Sequence, residues 1–532
     1  MKKIISLLLV TAMLMGLLSG CSDPDGDAYV PTGDALLMEG EDPEDLSLQD
    51  EELQALTLTY YPNRSMNPLI GVNITNRVLF SLMYQGLFSV DRNNQPVPIL
   101  CSYYQSTADN RNWTIYVDEN ATFSDGTPLT NTDVYASYQA ARESDYYKGR
   151  FTYIDNFVTG ENNTITFHLT TAYQNFPLLL DIPIVKAGQE KDLHPLGSGP
   201  YCFLEGSGGA QLSRVQNWWC KSARLSTNAE IIELLEATSQ AQVRDEFEFS
   251  SLDLAISDPM SDSYAEYRCD YELWEVENGI FMYIGCNVLW SPWFKDGKNA
   301  ELRRALTYAI DRETIIDSYY RGRANASTLP TSPGSPYYSE SLASRYAYDP
   351  LQFVSAISNV TVPKDDNGNP MKLKLLVNCD DSARLRAARF IAKELRELGL
   401  DVGTLEYGGS TRTTYQQVLQ AGSYDIYLGQ TKLPATMDLS EFFRGWGNLG
   451  WGGIADNTML NMCKEALANS GNYYNLNKMV ADDAKIIPIM FGYYEVYAER
   501  GQLLDLTPSR DNVFFYTVGK TMEGSRIATE YS

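Results

Sequence analysis

Leu373-Lys374-Leu375-Leu376-Val377, then Ser382 to Leu398 closed by Gly399, then Leu400 to Leu405, Thr413 to Ala421 and Tyr424-Asp425-Ile426-Tyr427-Leu428 form the stretch that decides the fold. Apolar runs of strand length alternate here with longer segments of helical length, and the glycine supplies a stop signal. Strands alternating with helices predict an α/β lobe with a mostly parallel sheet. Working upstream, Leu302, Ala305, Leu306, Ala309 and Ile310 fall at i, i+3, i+4, i+7 and i+8, the spacing of an amphipathic helix. Asp311 can cap a second helix that bears Ile315 and Ile316.

The texture differs before about residue 276. Leu56-Thr57-Leu58-Thr59-Tyr60, Trp113-Thr114-Ile115-Tyr116-Val117 and Thr164-Ile165-Thr166-Phe167-His168-Leu169 read as strands with period two. Tyr201 to Leu204 against Gln211 to Val215, across Gly206-Ser207-Gly208-Gly209, reads as a hairpin. Thr130 or Thr132 can cap a helix with Val134, Ser137, Tyr138 and Ala141 on one face. A β-rich first half therefore precedes an α/β second half. A chain of 532 residues exceeds one ordinary domain, so two or more lobes are expected.

Composition narrows the function. With 44% hydrophobic and 21% charged residues the chain has material for a large core. A net charge of −26 disfavours nucleic acid as a partner. The two histidines, His168 and His194, are too few for a multi-histidine metal cage, so no metal and no cofactor are expected. Neither a Gly-x-Ser-x-Gly elbow nor an HExxH helix occurs. Paired carboxylates such as Asp155 or Asp253 are easy to find among 68 acids and give an anchored extracellular hydrolase little support.

Lys2 and Lys3, the apolar run Ile4 to Leu18 and the box Leu18-Ser19-Gly20-Cys21 read as a secretory signal over residues 1–20. The box resembles that of bacterial lipoproteins, which implies cleavage before Cys21, lipidation of its thiol and anchoring outside the membrane. Residues 21–52 are acidic and proline-bearing, and read as a self-repelling tether. Seven further cysteines remain, an odd number with no CxxC pair, so at least one thiol stays free.

Four motifs carry a resemblance over nearly the whole body. Trp113 to Val117 running into Phe123-Ser124-Asp125-Gly126-Thr127-Pro128 and Asp133-Val134 resembles the signature of the family 5 extracellular solute-binding proteins of ABC importers, the dipeptide, oligopeptide and nickel receptors. Pro195-Leu196-Gly197-Ser198-Gly199-Pro200-Tyr201, Leu302 to Arg312 and Ile487-Pro488-Ile489 are similar to later segments of that family. Each reads physically as scaffold: a tight turn, a fixed corner, a cap.

The resemblance implies a bilobed periplasmic-binding-protein-like clam-shell of the large type, with an inserted β-rich subdomain. Lobe I takes 53–80, 195–275 and 485–532, the insert 81–194, and lobe II 276–484, with crossings near Tyr271 to Asn287 and Lys485 to Tyr494. It implies no enzyme, but a monomeric receptor that delivers a solute, a peptide first, to a separate permease with ATPase subunits. The ligand contacts it points to are Tyr84, Asn287, Gln430, Lys432, Trp446 and Asn448. Where peptide-binding members carry an aspartate after the Tyr-Asp strand, this chain has Ala435 or Thr436, with Asp438 as a substitute. A sugar-like ligand stays open on Gln430, Thr431, Trp446 and Asn448.

Overall fold

The computed structural model describes residues 56–514 and 519–520, apart from 72, 207, 221–228, 262–263, 265, 410–412, 446, 502 and 505. The expected signal and tether, Cys21 and Trp446 lie outside the described residues.

The α/β stretch folds as its pattern requires. Strands Leu373–Asn378, Val402–Tyr407 and Ile426–Lys432 run parallel, with Leu373–Asn378 between the other two. Helix Ser382–Glu397 packs on them through Ala383, Ala387, Ala388, Ile391, Ala392 and Leu395. Ile426 and Leu428 point into one core with Met282 and Leu375, while Tyr427 points into another with Phe281 and Leu376. Successive side chains of a strand face opposite sides, so a sheet covered on both faces reads as a continuous apolar run.

The sheet that holds these strands is mixed, which corrects the expectation of a mostly parallel one. Its seven strands include two long ones, Glu272–Cys286 and Ile486–Ala498, which pair antiparallel along most of their length. Ile426–Lys432 joins the first of them antiparallel as well. The chain leaves along one strand and returns along the other, so their directions must oppose.

Those two strands pass from one core to another. Val276, Tyr494, Val496 and Ala498 belong to the large core of the first lobe. Met282, Ile284, Cys286, Ile487 and Ile489 belong to a core of the second. Between the two parts the pairing register slips, from Glu277 to Phe281, and Gly279 adopts φ +73°. A left-handed residue that interrupts the ladder is the place where glycine has a conformational reason to stand.

The first lobe carries two four-stranded sheets. In one, Leu56–Tyr60 lies parallel to Ile231–Glu236, followed by Gly209–Arg214 and Tyr201–Gly206. The other is antiparallel, in the order Cys101–Ser106, Asn112–Val117, Thr164–Leu169, Ile154–Gly160. Helix Asn131–Glu143 buries Val134, Ser137, Tyr138 and Ala141, the face read from the sequence.

The recurring motifs are structural. The Asp125 carboxylate accepts from Thr127 N at 3.0 Å and from Lys186 Nζ at 2.6 Å, closing the Asp-Gly turn. A Cβ on Gly197 would overlap the Met83 carbonyl and the Tyr84 ring, so only glycine lets that turn seat against the end of helix Ile74–Met83. Arg312 ties two motifs together: its buried guanidinium donates to the carbonyls of Ser327 (3.0 Å), Pro488 (2.9 Å), Thr307 (3.2 Å) and Ile310 (3.2 Å). Burial without a direct carboxylate partner pushes its pKa down to about 10.

Candidate functional site

The lobes meet along a polar and aromatic seam. From the first lobe, Tyr153 OH donates to Ser440 Oγ at 2.5 Å, Tyr173 OH lies 2.8 Å from Thr436 Oγ1, and Asn175 Nδ2 donates to Tyr337 OH at 2.6 Å. On the far side Tyr337 stacks on Tyr473, ring centroids 4.1 Å apart. Val90 and Leu178 cover Ala435. Tyrosine side chains thus gather where the lobes touch.

Asp438 stands in this seam, accepting from Ser440 N at 2.9 Å and Ser440 Oγ at 2.6 Å. Burial holds its carboxyl above the usual carboxylate range, against the lowering effect of the two Ser440 bonds.

A second junction is charged. Lys432, at the end of strand Ile426–Lys432, donates to Asp511 Oδ1 at 2.6 Å and to Tyr146 OH at 3.0 Å. Tyr146 OH in turn donates to Asp511 Oδ1 at 2.9 Å. Arg150 Nη2 and Arg510 Nε each stand 3.8 Å from the same carboxylate. Burial pushes the Asp511 carboxyl up, but Lys432, Arg510, Arg150 and Arg77 together hold it far below the carboxylate range. Arg510 also donates to the Leu433 carbonyl, so the chain beyond the second crossing strand grips the loop after Lys432.

Behind this junction lies a cavity of about 80 Å³ on the first-lobe side. Arg77, Tyr84, Gln85, Arg150, Asp181 and Asp511 are among its lining residues. It adjoins the seam at Asp511, which Lys432 reaches, and at Val90, which packs on Ala435.

The expected contacts divide accordingly. Tyr84 lines the cavity, with its hydroxyl 3.2 Å from the Met66 carbonyl and 3.0 Å from that of Pro195. Lys432 reaches the charged junction beside it. Asn448 is exposed, and its backbone N donates to Glu441 Oε2, whose carboxylate also meets Thr152 of the first lobe. Gln430 lies on the face covered by helix Ser382–Glu397, where its Oε1 accepts from Arg384 Nη2 at 2.7 Å.

Asn287 is fully buried at the opposite end of the sheet. Its Nδ2 donates to the carbonyls of Gly422 (3.0 Å) and Tyr424 (2.8 Å), and its Oδ1 accepts from Trp290 N. Its own N donates to Asp425 O, so a whole strand, about 20 Å at ~3.3 Å per residue, separates it from Lys432. The structure therefore brings Tyr84 and Lys432 to one place and leaves Gln430 and Asn287 elsewhere.

Sequence reasoning missed Arg77, Tyr146, Arg150, Asp181, Arg510 and Asp511. Arg77 sits on a helix with apolar neighbours, Arg150 on the single 3-10 turn Lys148–Phe151, and the others in turns and loops, segments too short for periodicity to carry a signal. The two histidines do not converge with ligating partners: His168 Nδ1 lies 2.6 Å from Asn112 Oδ1 and His194 stacks on Phe203 at 4.5 Å. Among the described residues no group of three or more His, Cys, Asp or Glu side chains is arranged to hold a metal ion. Asp253, one of the acids weighed for hydrolysis, accepts from Thr57 N at 2.7 Å and staples two strands.

Comparison with known proteins agrees with this architecture. Residues 95–452 match the model of the bacterial extracellular solute-binding proteins, family 5 Middle. The glutathione-binding protein GsiB of Escherichia coli is 22% identical over 363 residues, a match that covers 63% of this chain and 66% of that protein. The chain thus spans just under two thirds of that relative's length. Among solved structures, the ABC transporter substrate-binding protein CtaP of Listeria monocytogenes superimposes with a TM-score of 0.70 at 17% identity, over 89% of this chain and all of that one (100%). The oligopeptide-binding protein AppA of Bacillus subtilis, in complex with a nonapeptide, gives 0.62 at 17% identity over 88% and 99%. The fold is that of these two-lobed binding proteins, and the chain belongs to the bacterial extracellular solute-binding proteins, family 5.

Proposed function

We propose that this chain captures a peptide between its two lobes and delivers it to the permease and ATPase subunits of an ABC importer. It acts as a monomer at the outer face of the bacterial cell membrane, held there by lipid on Cys21. The observation that carries the reading is the junction of Lys432 with Asp511 and Tyr146, where a second-lobe side chain bonds a lining residue of a first-lobe cavity. A solute enclosed at such a place is buried by lobe closure, the motion that two-strand connections permit. The division into lobe I (53–80, 195–275, 485–532), insert (81–194) and lobe II (276–484) is supported by the separate sheets and by the two long strands between the cores. No helix among the described residues is long and apolar enough to cross a membrane, in keeping with an anchored receptor that leaves translocation to its partners.

An oligosaccharide draws less support, because Gln430 is engaged by Arg384 on the helix-covered face. Small-angle scattering of the protein with and without a tryptic digest of casein tests the proposal. A smaller radius of gyration with the digest is expected; an unchanged radius at saturating, thermally stabilising concentrations refutes closure.

A further inference from the structure

The cavity's own lining balances, Arg77 and Arg150 against Asp181 and Asp511, and it is the cations closing in from the seam that tip the balance. Arg77 and Arg150 line it, with Lys432 and Arg510 closing in from the seam. The acids that answer them are Asp181, paired with Arg150; Asp511, paired with Lys432 at 2.6 Å; and Glu277, near Arg510. Four cations thus face three acids in a chain whose overall charge is −26, so the local surplus runs against the charge of the whole molecule.

Arg77 carries that surplus. Its guanidinium lies 3.8 Å over the Tyr146 ring, with the Tyr147 hydroxyl and the Gly71 carbonyl each at the long distance of 3.5 Å. Among the described residues no carboxylate stands within ion-pair distance of it, and the acid that bears on it, Asp511, is already held by Lys432. Two amide oxygens on the cavity wall, Gln85 Oε1 and Asn512 Oδ1, are buried without a hydrogen-bond partner. A half-buried guanidinium with no carboxylate at ion-pair distance keeps capacity for an anion, and buried acceptors lacking donors are costly unless something fills them.

We infer that this cavity takes a carboxylate of the solute on Arg77 and Arg150, with N–H groups beside that carboxylate meeting Gln85 and Asn512. The inference rests on the reading of the chain as a solute receptor and adds the charge and orientation of the cargo. Guanidinium forks match a carboxylate in two parallel hydrogen bonds, a geometry that a lysine ammonium does not offer. A space of about 80 Å³ admits one end of a ligand, not its whole length. The solute therefore enters acid end first, and Lys432 closes on Asp511 behind it.

The test compares thermal stabilisation by a tryptic digest of casein with stabilisation by the same digest after methyl esterification of its carboxyl groups. With the wild-type protein, the esterified pool should need a concentration roughly tenfold higher for the same shift, the loss of one charge-assisted contact. Arg77→Gln should erase the difference between pools, and Arg77→Lys should keep part of it, which covers the case of a Gln variant that fails to fold. Equal stabilisation of the wild type by both pools overturns the inference while leaving peptide capture intact. If neither pool binds, the peptide reading fails. A panel of acetate, glutarate and inorganic phosphate on wild type and Arg77→Lys then decides: carboxylate stabilisation weakened by the substitution upholds the cavity assignment, and phosphate-only or Arg77-independent effects overturn it.

Discussion

Gly279 stands where the first crossing strand leaves one core for the other, and replacing it by alanine should uncouple the lobes. Its φ of +73° lies in the left-handed region, where a Cβ costs about 1–2 kcal/mol. An added Cβ would also overlap the Arg510 guanidinium, which donates to the Leu433 carbonyl. Displacing that buried donor adds ~1–3 kcal/mol. The sum is about 2–5 kcal/mol, or roughly 5–15 °C in the melting of the cooperative unit concerned. Thermal unfolding of Gly279→Ala, Arg510→Ala and the double variant forms a cycle that separates the two parts. With Arg510 already truncated, Gly279→Ala should cost only the backbone part, ~1–2 kcal/mol. The same cost in both backgrounds would refute the steric argument, and a Gly279→Ala protein that melts within ~1 °C of wild type would refute the whole of it.

Two other outcomes follow from the residues already placed. Burial raises the Asp438 carboxyl above its unfolded value, so the stability it contributes is full below about pH 4, where the acid is protonated in both states, and is lost as pH rises through the folded pKa. Asp438→Asn keeps an oxygen for Ser440 N and Oγ but cannot ionise. Its melting temperature relative to wild type should therefore climb between about pH 4 and 7, and a flat difference across that window would show that the acid stays ionised in the fold. Cys21→Ala should yield an uncleaved or released protein that takes up no radioactive fatty acid, and a substituted protein that is still labelled would end the lipid-anchor proposal.

The sequence by itself determined the local elements and the scaffold. Leu373 to Leu428 could be read as alternating strands and helices because both faces of that sheet are covered, which writes apolar runs into the strands. Asp311 could be read as a cap, and the structure has it accepting from Thr314 N at 3.0 Å. Asp125-Gly126 could be read as a turn for the same kind of local reason. Lys432 and Tyr84 are legible through their positions beside motifs, which the order of the chain preserves. Asn287 stands next to a crossing in the sequence, but neighbours along a strand diverge by about 3.3 Å per residue, and it ends a strand's length away from the seam.

What only the tertiary structure decided is the charged junction. Lys432 meets Asp511 at a separation of 79 positions and Tyr146 at 286, and none of the three sits in a repeating pattern that would announce the others. Their meeting depends on two strands carrying the chain out of one lobe and back into it, and on how the segment after the second strand lies against the loop after Lys432. Periodicity records which face of an element is buried. It carries no record of which irregular segments, far apart in the chain, the packed elements bring together, and charged side chains that gain their partners only through that packing look, in the sequence, like any other surface residues.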